Sequence, residues 1–292
     1  MTTVRESGLA FECDGSAMVG VLSHADQPSD LGLLLLVGGP QYRVGSHRQY
    51  VELARAAARG GVTTLRFDFR GLGDSSGELL DFKEGDQGPD IGAAIDALQR
   101  NQPHVRRVAL WGLCGGATAA LLYIRSHRDP RVAGLALCNP FLQTLPGMAR
   151  TQVKQYYGRR LLQRQFWQNL ASGRVGWSQL SDFAGTVRKA LAGAAKTAPE
   201  TPRSYTDASA EGWAAFQGPI LLLMSEHDYT AQAFDELCST EPAWQAALAR
   251  RPAQRVDLLG ADHTTSTPQA MAELVRSSVE WLQALARHGR SA

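Results

Sequence analysis

Three residues of the sequence have the chemical types and the order that nucleophilic catalysis requires. Cys114 stands at the centre of a Gly-x-Cys-x-Gly motif at residues 112–116, directly after an apolar run. Asp228 and His263 follow later in the chain, each shortly after another apolar run. A thiol beside a histidine that a carboxylate orients can form and break acyl bonds. The order nucleophile, acid, histidine therefore predicts acyl-transfer chemistry at the ends of three strands.

The turn at Cys114 has the pattern of a sharp connection between a strand and a helix. Residues 108–111 predict a buried parallel strand and residues 117–123 predict a helix. Glycine at positions 112 and 116 gives the space and the backbone freedom that such a turn needs. The turn would hold the sulfur near the positive end of the helix dipole, which stabilises negative charge. This pattern is typical of a nucleophile elbow.

Two other interpretations compete with a nucleophilic Cys114. Free cysteines are commonly small, inert core residues, and glycine-rich turns between strand and helix also bind phosphates. The dinucleotide pattern Gly-x-Gly-x-x-Gly and the phosphate-loop ending Gly-Lys-Ser/Thr are both absent from this turn. An acid and a histidine at the ends of later strands favour the nucleophile.

The predicted acid has a rival in its own loop. Asp228 and Glu226 both follow the seventh predicted strand, and the alternative for either carboxylate is plain solvation on a loop. His263 would take the proton of Cys114 and later protonate the leaving group. The acid, with Asp228 preferred, would fix the tautomer of the imidazole and stabilise its charged form.

An acyl-transfer site also needs two N–H donors for the oxyanion. The residue after the nucleophile supplies one, which is Gly115 here. The loop after the third predicted strand contains Gly39, Pro40 and Gln41. Proline has no N–H, so the second donor is predicted to be Gly39 or Gln41.

The rest of the chain predicts the elements that place these residues. Residues 9–13 and 17–22 form a hairpin around Asp14-Gly15. A helix capped by Ser46 is predicted to end near residue 59, and apolar runs then alternate with helical patterns. Such alternation implies a parallel sheet with right-handed crossovers. The predicted fold class is therefore α/β, with a mostly parallel eight-stranded sheet in the α/β-hydrolase order.

The alternation stops between the sixth and seventh predicted strands. Residues 141–213 have helical patterns and predict a helical lid, which leaves residues 1–140 and 214–292 as the core. This segment carries ten basic and four acidic residues, although the whole chain has a net charge of only +2. A solvated helix face is one explanation. The other is an anionic ligand, such as a phosphorylated pantetheine, a glycan-linked phosphate or an acidic carrier protein. The predicted substrate contacts are Arg159 and Arg160 in this segment, together with Arg43 and His47, which follow the predicted oxyanion loop.

Composition narrows the class of protein. The chain has 292 residues, of which 44% are hydrophobic and 20% charged, as in globular proteins. The predicted location is cytoplasmic, since no signal peptide or membrane-spanning run is visible. No nucleic-acid motif is present, and no metal or organic cofactor is implied. The oligomeric state stays open.

The four cysteines are scattered, which suggests neither a zinc site nor a disulfide framework. They are Cys13, Cys114, Cys138 and Cys238.

Nearly the whole chain resembles a known bacterial family. The stretches that carry the resemblance are residues 37–49 (with Gly-Gly-Pro-Gln-Tyr-Arg), 65–75, 111–114 and 261–263. They look like the exosortase A system-associated hydrolase family, first type. That resemblance implies an α/β-hydrolase fold and Cys114 as nucleophile, in exopolysaccharide gene settings. The chain carries Gly-Gly after the nucleophile where Asp-Ala is expected in that family.

Hydrolysis of an ester or thioester through an acyl-cysteine is the predicted activity. The triad also looks like that of Dieckmann cyclases, which take a thioester from a carrier protein. Acyl transfer or cyclisation of a substrate bound to a carrier protein or to coenzyme A is therefore the alternative, favoured by the basic lid. A dienelactone-hydrolase-like enzyme fits the cysteine but not the long lid. A non-catalytic binding partner is a further class, which the intact set of three residues disfavours.

Overall fold

The N-terminal hairpin has the turn that the sequence predicts. In a computed structural model, which describes residues 3–79, 86–142 and 204–288, strand β1 (Glu6–Cys13) pairs antiparallel with β2 (Ser16–Ser23). Asp14 and Gly15 join them with φ values of 48° and 76°. Positive φ at both central residues matches the twist of paired strands.

Six further strands complete one sheet within the described residues. They are β3 (Leu31–Leu36), β4 (Thr63–Phe67), β5 (Arg107–Leu113), β6 (Val132–Cys138), β7 (Ile220–Ser225) and β8 (Gln254–Leu258). The order is β1-β2-β4-β3-β5-β6-β7-β8, and all pairs from β4 to β8 are parallel. Every residue of β3, β4 and β7 is buried, as expected for parallel strands covered on both faces. The strand order and directions confirm the predicted fold class.

Helices connect the parallel strands. Those among the described residues are α1 (Gln49–Arg59), α2 (Gly88–Asn101), α3 (Gly115–His127), α4 (Tyr205–Ala215), α5 (Tyr229–Thr240), α6 (Pro242–Arg250) and α7 (Pro268–His288). The sequence did not predict α5 and α6. Helix α6 buries only Trp244 and Ala247, so it has little apolar periodicity to detect. None of the described helices is long and apolar enough to cross a membrane.

The start of α1 differs from the sequence prediction. The cap residue is Arg48, in a left-handed conformation and without a side-chain capping bond. Ser46 lies in a short 3-10 turn before the helix. Its hydroxyl instead accepts a hydrogen bond from Gln41 Nε2 (3.1 Å), so the prediction that Ser46 caps the helix is wrong.

The last part of the predicted lid belongs to the core. Trp213, on α4, is fully buried, and its ring packs against Phe234 and Trp244. Its Nε1 donates to the carbonyl of Arg251 (2.8 Å). Residues 205–213 therefore lie in the same compact unit as the sheet.

The remaining part of the predicted lid, residues 143–203, lies outside the described residues. The predicted substrate contacts Arg159 and Arg160 lie there as well. The lid and its two arginines therefore stay predictions.

Candidate active site

Cys114 occupies a strained turn between β5 and α3. Its backbone angles are φ 57° and ψ −119°, a combination that a residue with a Cβ rarely adopts. A Cβ at Gly112 would lie 2.5 Å from the amide nitrogen of Ala117, and one at Gly116 would lie 2.9 Å from the carbonyl carbon of Leu36. The turn therefore has no room for side chains at these two positions, which is the reason the sequence suggested for both glycines.

Hydrogen bonds on both sides hold this turn in place. The N–H of Cys114 donates to the carbonyl of Cys138 at the end of β6 (2.9 Å). The carbonyl of Cys114 accepts from the N–H groups of Ala117 (3.1 Å) and Phe141 (3.2 Å). Thr118 Oγ1 donates in turn to the carbonyl of Phe141 (2.7 Å). Because α3 and the end of β6 both bind the strained residue, its main chain has a fixed position, and its thiol is half-buried.

Asp228 and His263 lie together at the same edge of the sheet. His263 Nδ1 is 2.8 Å from Asp228 Oδ2, and Asp228 is buried with 4% of its surface exposed. An ionised carboxylate can only accept, so Nδ1 carries the hydrogen. The other oxygen, Oδ1, accepts from the N–H of Thr230 (2.9 Å) and caps α5. One side chain therefore fixes both the start of the helix and the orientation of the imidazole.

The charge state of His263 reflects these neighbours. The hydrogen bond to Asp228 is the main cause that raises the pKa of His263 to about 10, and a hydrogen bond to the side chain of Cys114 raises it further, while burial opposes both. The Cys114 side chain is thus an electrostatic neighbour of the imidazole. The structure joins two of the three residues that the sequence selected, Asp228 and His263, by a hydrogen bond, and the role of Cys114 as nucleophile stays a prediction.

Glu226, the rival carboxylate, has a different partner. Its Oε2 accepts from the N–H of Gly260 (2.8 Å), two residues after β8. Its side chain is exposed. Within the described residues, the carboxylate hydrogen-bonded to His263 is that of Asp228.

The loop after β3 lies against the turn at Cys114. The backbone of Gly38 is so near the amide nitrogen of Gly115 that a Cβ would come within 2.9 Å of it. Gly115 is the first residue of α3, where N–H groups have no partner inside the helix. Gly39 has a φ of 61°, and the side chain of Gln41 is fixed by its bond to Ser46. The structure brings this loop and Gly115 together, while the choice between Gly39 and Gln41 as second donor stays a prediction.

Arg43 is engaged by carboxylates of its own chain. Its guanidinium bonds to Asp68 and, at 2.5 Å, to Asp74 Oδ2. The backbone N–H of Arg43 also donates to Asp68 Oδ1 (2.6 Å), and Asp68 is fully buried. The positive charge that was predicted to contact an anionic substrate is therefore already paired. His47 is exposed in a left-handed conformation (φ 52°), and its contact with substrate stays a prediction.

Some residues that shape the site were not predicted. Asp68 fixes the segment after the predicted oxyanion loop through Arg43. Thr265, two residues after His263, has a φ of 51°, and its hydroxyl lies 3.5 Å from Gln49 Oε1 at the start of α1. No local pattern distinguishes such residues, since each acts through a partner far away in the sequence. Among the described residues, no group of three His, Cys, Asp or Glu side chains could hold a metal ion.

The pKa of His263 leads to a pH-dependent stability prediction. A histidine whose folded-state pKa is about 10, against about 6.5 when unfolded, stabilises the fold below pH 6.5, and this contribution is lost as pH rises through 10. Asp228→Asn removes the charge but keeps an oxygen that can cap α5. We expect urea unfolding to show the largest stability loss for Asp228→Asn below pH 6.5 and a shrinking loss towards pH 10.

Glu226→Gln is the matched control for this prediction. It also removes one carboxylate charge from the same loop and keeps an acceptor for the N–H of Gly260. Because Glu226 does not bond to the imidazole among the described contacts, its stability difference from the native protein should stay flat over this pH range. A larger pH-dependent loss for Glu226→Gln than for Asp228→Asn would contradict the assignment of the partner.

Comparison with known proteins gives a family and a set of similar folds. Residues 33–276 match the model of the alpha/beta hydrolase family. A comparison with curated protein sequences finds no significant match. Among solved structures, an esterase from Pyrococcus furiosus is 15% identical with a TM-score of 0.64, and the match covers 96% of this chain and 91% of that chain.

Two other solved structures are similar to a comparable degree. A dienelactone hydrolase from Anabaena variabilis is 14% identical with a TM-score of 0.61, over 96% of this chain and 98% of that chain. A proline iminopeptidase from Mycobacterium smegmatis is 18% identical with a TM-score of 0.60, over 97% of this chain and 100% of that chain. At such identities the similarity shows a shared fold and not a shared substrate.

Proposed function

The chain belongs to the alpha/beta hydrolase family, and from this premise we propose that it hydrolyses an ester or thioester through an acyl group carried on Cys114. The observations that support the proposal are the strained turn at Cys114 (φ 57°) and a histidine whose Nδ1 is 2.8 Å from a buried carboxylate. Backbone strain of this kind is kept where surrounding structure maintains it for function.

The first half of the proposed reaction forms the acyl-enzyme. Because the raised pKa of about 10 keeps His263 protonated near neutral pH, Nε2 already holds the proton given up by the Cys114 thiol, and the thiolate attacks the carbonyl carbon of the substrate. The carbonyl oxygen becomes an oxyanion that the N–H of Gly115 and one N–H of the loop after β3 stabilise. When the intermediate collapses, the bond to the alcohol or thiol breaks and the imidazolium protonates that leaving group. Asp228 keeps Nδ1–H in place and stabilises the imidazolium.

The second half releases the acyl group. His263 takes a proton from a water molecule, the resulting hydroxide attacks the acyl-thioester, and the carboxylic acid leaves while the sulfur of Cys114 regains its proton. A thioester keeps a high transfer potential, so an amine, an alcohol or an internal carbanion could replace water. Water is the default acceptor because the reaction then needs no second site.

Transfer or cyclisation of a substrate bound to a carrier protein or to coenzyme A is the second candidate. The observation that favours it is the charge of residues 141–213, with ten basic and four acidic residues in a chain of net charge +2. Anionic handles such as phosphopantetheine or an acidic carrier are attracted to such a segment. The narrower resemblance to exosortase A system-associated hydrolases is compatible with either acceptor.

Intact-protein mass spectrometry tests the proposed function. The protein is mixed with a series of acyl thioesters, the reaction is quenched with acid, and the mass of the intact protein is measured. A mass increase equal to one acyl group is expected in the native protein, and Cys114→Ala should show none. Release of the free acid without an acceptor supports hydrolysis, whereas a product joined to an added amine or alcohol supports transfer. No adduct and no turnover with any acyl ester or thioester would favour a non-catalytic binding partner.

The predicted basic lid gives a salt-dependent prediction. Attraction between exposed charges is screened over about 8–10 Å at physiological ionic strength. The KM for a substrate bound to coenzyme A or to a carrier protein should therefore rise with salt. Reversing two of the basic charges, Arg159→Glu with Arg160→Glu, should raise that KM already at low salt. Steady-state kinetics at increasing sodium chloride concentrations measures both effects.

A short neutral thioester of the same acyl group is the control. Its KM should change little with salt, and its kcat should be kept in the double variant, because it lacks the anionic handle. Equal responses of the two substrates would mean that the basic residues form only a solvated surface. The excess of basic residues would then no longer support the hypothesis that the substrate is bound to a carrier protein or to coenzyme A.

A further inference from the structure

Asn139, directly after β6, has an unusual backbone and is fully buried. Its φ is 44°, and none of its surface is exposed. Asparagine is among the few residues with a Cβ that tolerate the left-handed region. Its N–H donates to the carbonyl of Leu223 on β7 (3.0 Å). The pairing of β6 with β7 therefore continues for one step beyond Cys138.

The side chain of Asn139 then takes the place of its own carbonyl group. In a parallel ladder, a residue donates to one residue of the neighbouring strand and accepts from the residue two positions further on. Here the N–H of Ser225, two positions after Leu223, donates to Asn139 Oδ1 (2.8 Å), and Asn139 Nδ2 donates to Ser225 Oγ (2.9 Å). The amide thus extends the ladder while the main chain turns away from it.

The turn at Asn139 directs the main chain towards the nucleophile. On one side of it, the carbonyl of Cys138 accepts from the N–H of Cys114 (2.9 Å). On the other side, the N–H of Phe141 donates to the carbonyl of Cys114 (3.2 Å). The main chain around Asn139 therefore binds the strained turn, whereas its side chain binds the end of β7.

The loop that begins at Ser225 carries the acid. Its next residues are tied to the segment that carries His263, since the N–H of Glu226 donates to Leu258 (3.2 Å) and that of His227 donates to Ala261 (2.8 Å). A shift at Ser225 would therefore displace the loop that carries Asp228 relative to the turn at Cys114.

We propose that Asn139 is a positioning residue that sets the Asp228–His263 pair against Cys114. This inference rests on the proposed function. A purely conformational role would be served as well by glycine, which adopts a positive φ without strain. The role assigned here needs the amide, because only a side chain with an acceptor at this place can hold the N–H of Ser225.

Asn139→Gly separates the two roles, and NMR titration of the His263 imidazole is the measurement. The imidazole signal is identified by its loss in His263→Gln. The carboxylate of Asp228 raises the pKa of His263 to about 10, with a further contribution from Cys114. Of the nearby carboxylates, Asp262 is bonded to the N–H groups of Thr264 and Ser266, and Glu226 to that of Gly260. We expect the titration midpoint to fall by about one pH unit or more in Asn139→Gly.

Kinetics gives a second readout of the same variant. A displaced acid–histidine pair lowers the chemical step and leaves substrate binding unchanged, so kcat on a reactive acyl thioester should fall on the order of a hundredfold with KM kept. Asn139→Asp should restore much of the rate. It keeps the acceptor for the N–H of Ser225, and the hydroxyl of Ser225 can rotate to donate to the second oxygen. Its added negative charge would raise the imidazole pKa, so it cannot imitate the fall expected for glycine.

Two further variants complete the test. Ser225→Ala keeps the bond from its N–H and loses only the hydroxyl, so a smaller shift in the same direction is expected. Ser29→Ala removes hydrogen bonds to the carbonyls of Leu31 and Gly61. Ser29 lies just before the start of β3, at the end of the strand opposite to the candidate site, so this variant should leave the titration unchanged. It controls for general destabilisation.

An unchanged His263 titration in a folded Asn139→Gly protein would overturn the proposal. If that variant does not fold, Ser225→Ala decides, and an unchanged midpoint there would overturn it too. The titration needs no substrate, so it still reports on positioning if no acyl thioester is turned over. Failure of the proposed function and failure of this inference are therefore distinguishable.

Discussion

Replacing Cys114 with alanine is expected to abolish turnover of ester and thioester substrates. The loss in kcat should be about 10⁴-fold or more. Catalytic residues of such a set act together, so removing the nucleophile removes nearly all of the rate enhancement that the three residues provide. Because Cys114 is half-buried at the start of a helix, alanine should fit the turn and leave the fold intact. Activity is measured with the acyl thioester that gives the mass adduct, and circular dichroism checks the fold.

The other cysteines provide the controls for this prediction. Burial raises the pKa of Cys13 to about 11 and that of Cys238 to about 12. Burial also raises the pKa of Cys138 well above its ordinary value. Iodoacetamide reacts with thiolates, so it should label Cys114 first and inactivate the protein in parallel. Full activity of Cys114→Ala, or inactivation that follows labelling of Cys238, would contradict the assigned nucleophile.

Cys114→Ser should not rescue the activity. A hydroxyl has a much higher pKa than a thiol, so an arrangement suited to a thiol does not readily deprotonate it. We expect Cys114→Ser to keep only a small fraction of the native kcat on the same thioester. A serine variant with native activity would mean that the site is not specific for sulfur chemistry.

The parts of the site that follow from local patterns could be predicted from the sequence. The turn at Cys114 depends on a strand, two glycines and a helix that are adjacent in the chain. The carboxyl ends of parallel strands meet at one edge of a sheet. The order of strands therefore predicts that Asp228 and His263 approach Cys114, although 35 residues separate the acid from the histidine.

The parts that depend on pairing between distant side chains could not be predicted. Arg43 looked free for a substrate, because nothing near it in the sequence shows that Asp68, 25 residues later, binds its guanidinium. No local pattern marked Asn139, because its partner Ser225 is 86 residues away. Trp213 was placed in the lid, since its ring partners on α5 and α6 belong to helices that the sequence did not predict.

His263→Ala is expected to lower kcat by several orders of magnitude, about 10⁴-fold or more. The imidazole is required twice, to take the proton of Cys114 and to activate the water that releases the acyl group. Loss of the second step should also let the acyl-enzyme persist where it still forms. The measurements are steady-state kinetics and intact mass after mixing with substrate. A protein that retains native turnover without His263 would need another base.

The two loop carboxylates then test which residue orients that histidine. Asp228→Asn should cost on the order of a hundredfold or more in kcat, because the amide can donate to Nδ1 and so favours the wrong tautomer. Glu226→Gln should have a mild effect, since its carboxylate contacts Gly260 and not the imidazole. If Glu226→Gln lost most of its activity while Asp228→Asn stayed active, the role of the acid would pass to Glu226. That result would contradict the present assignment, which rests on the 2.8 Å distance between Asp228 Oδ2 and His263 Nδ1.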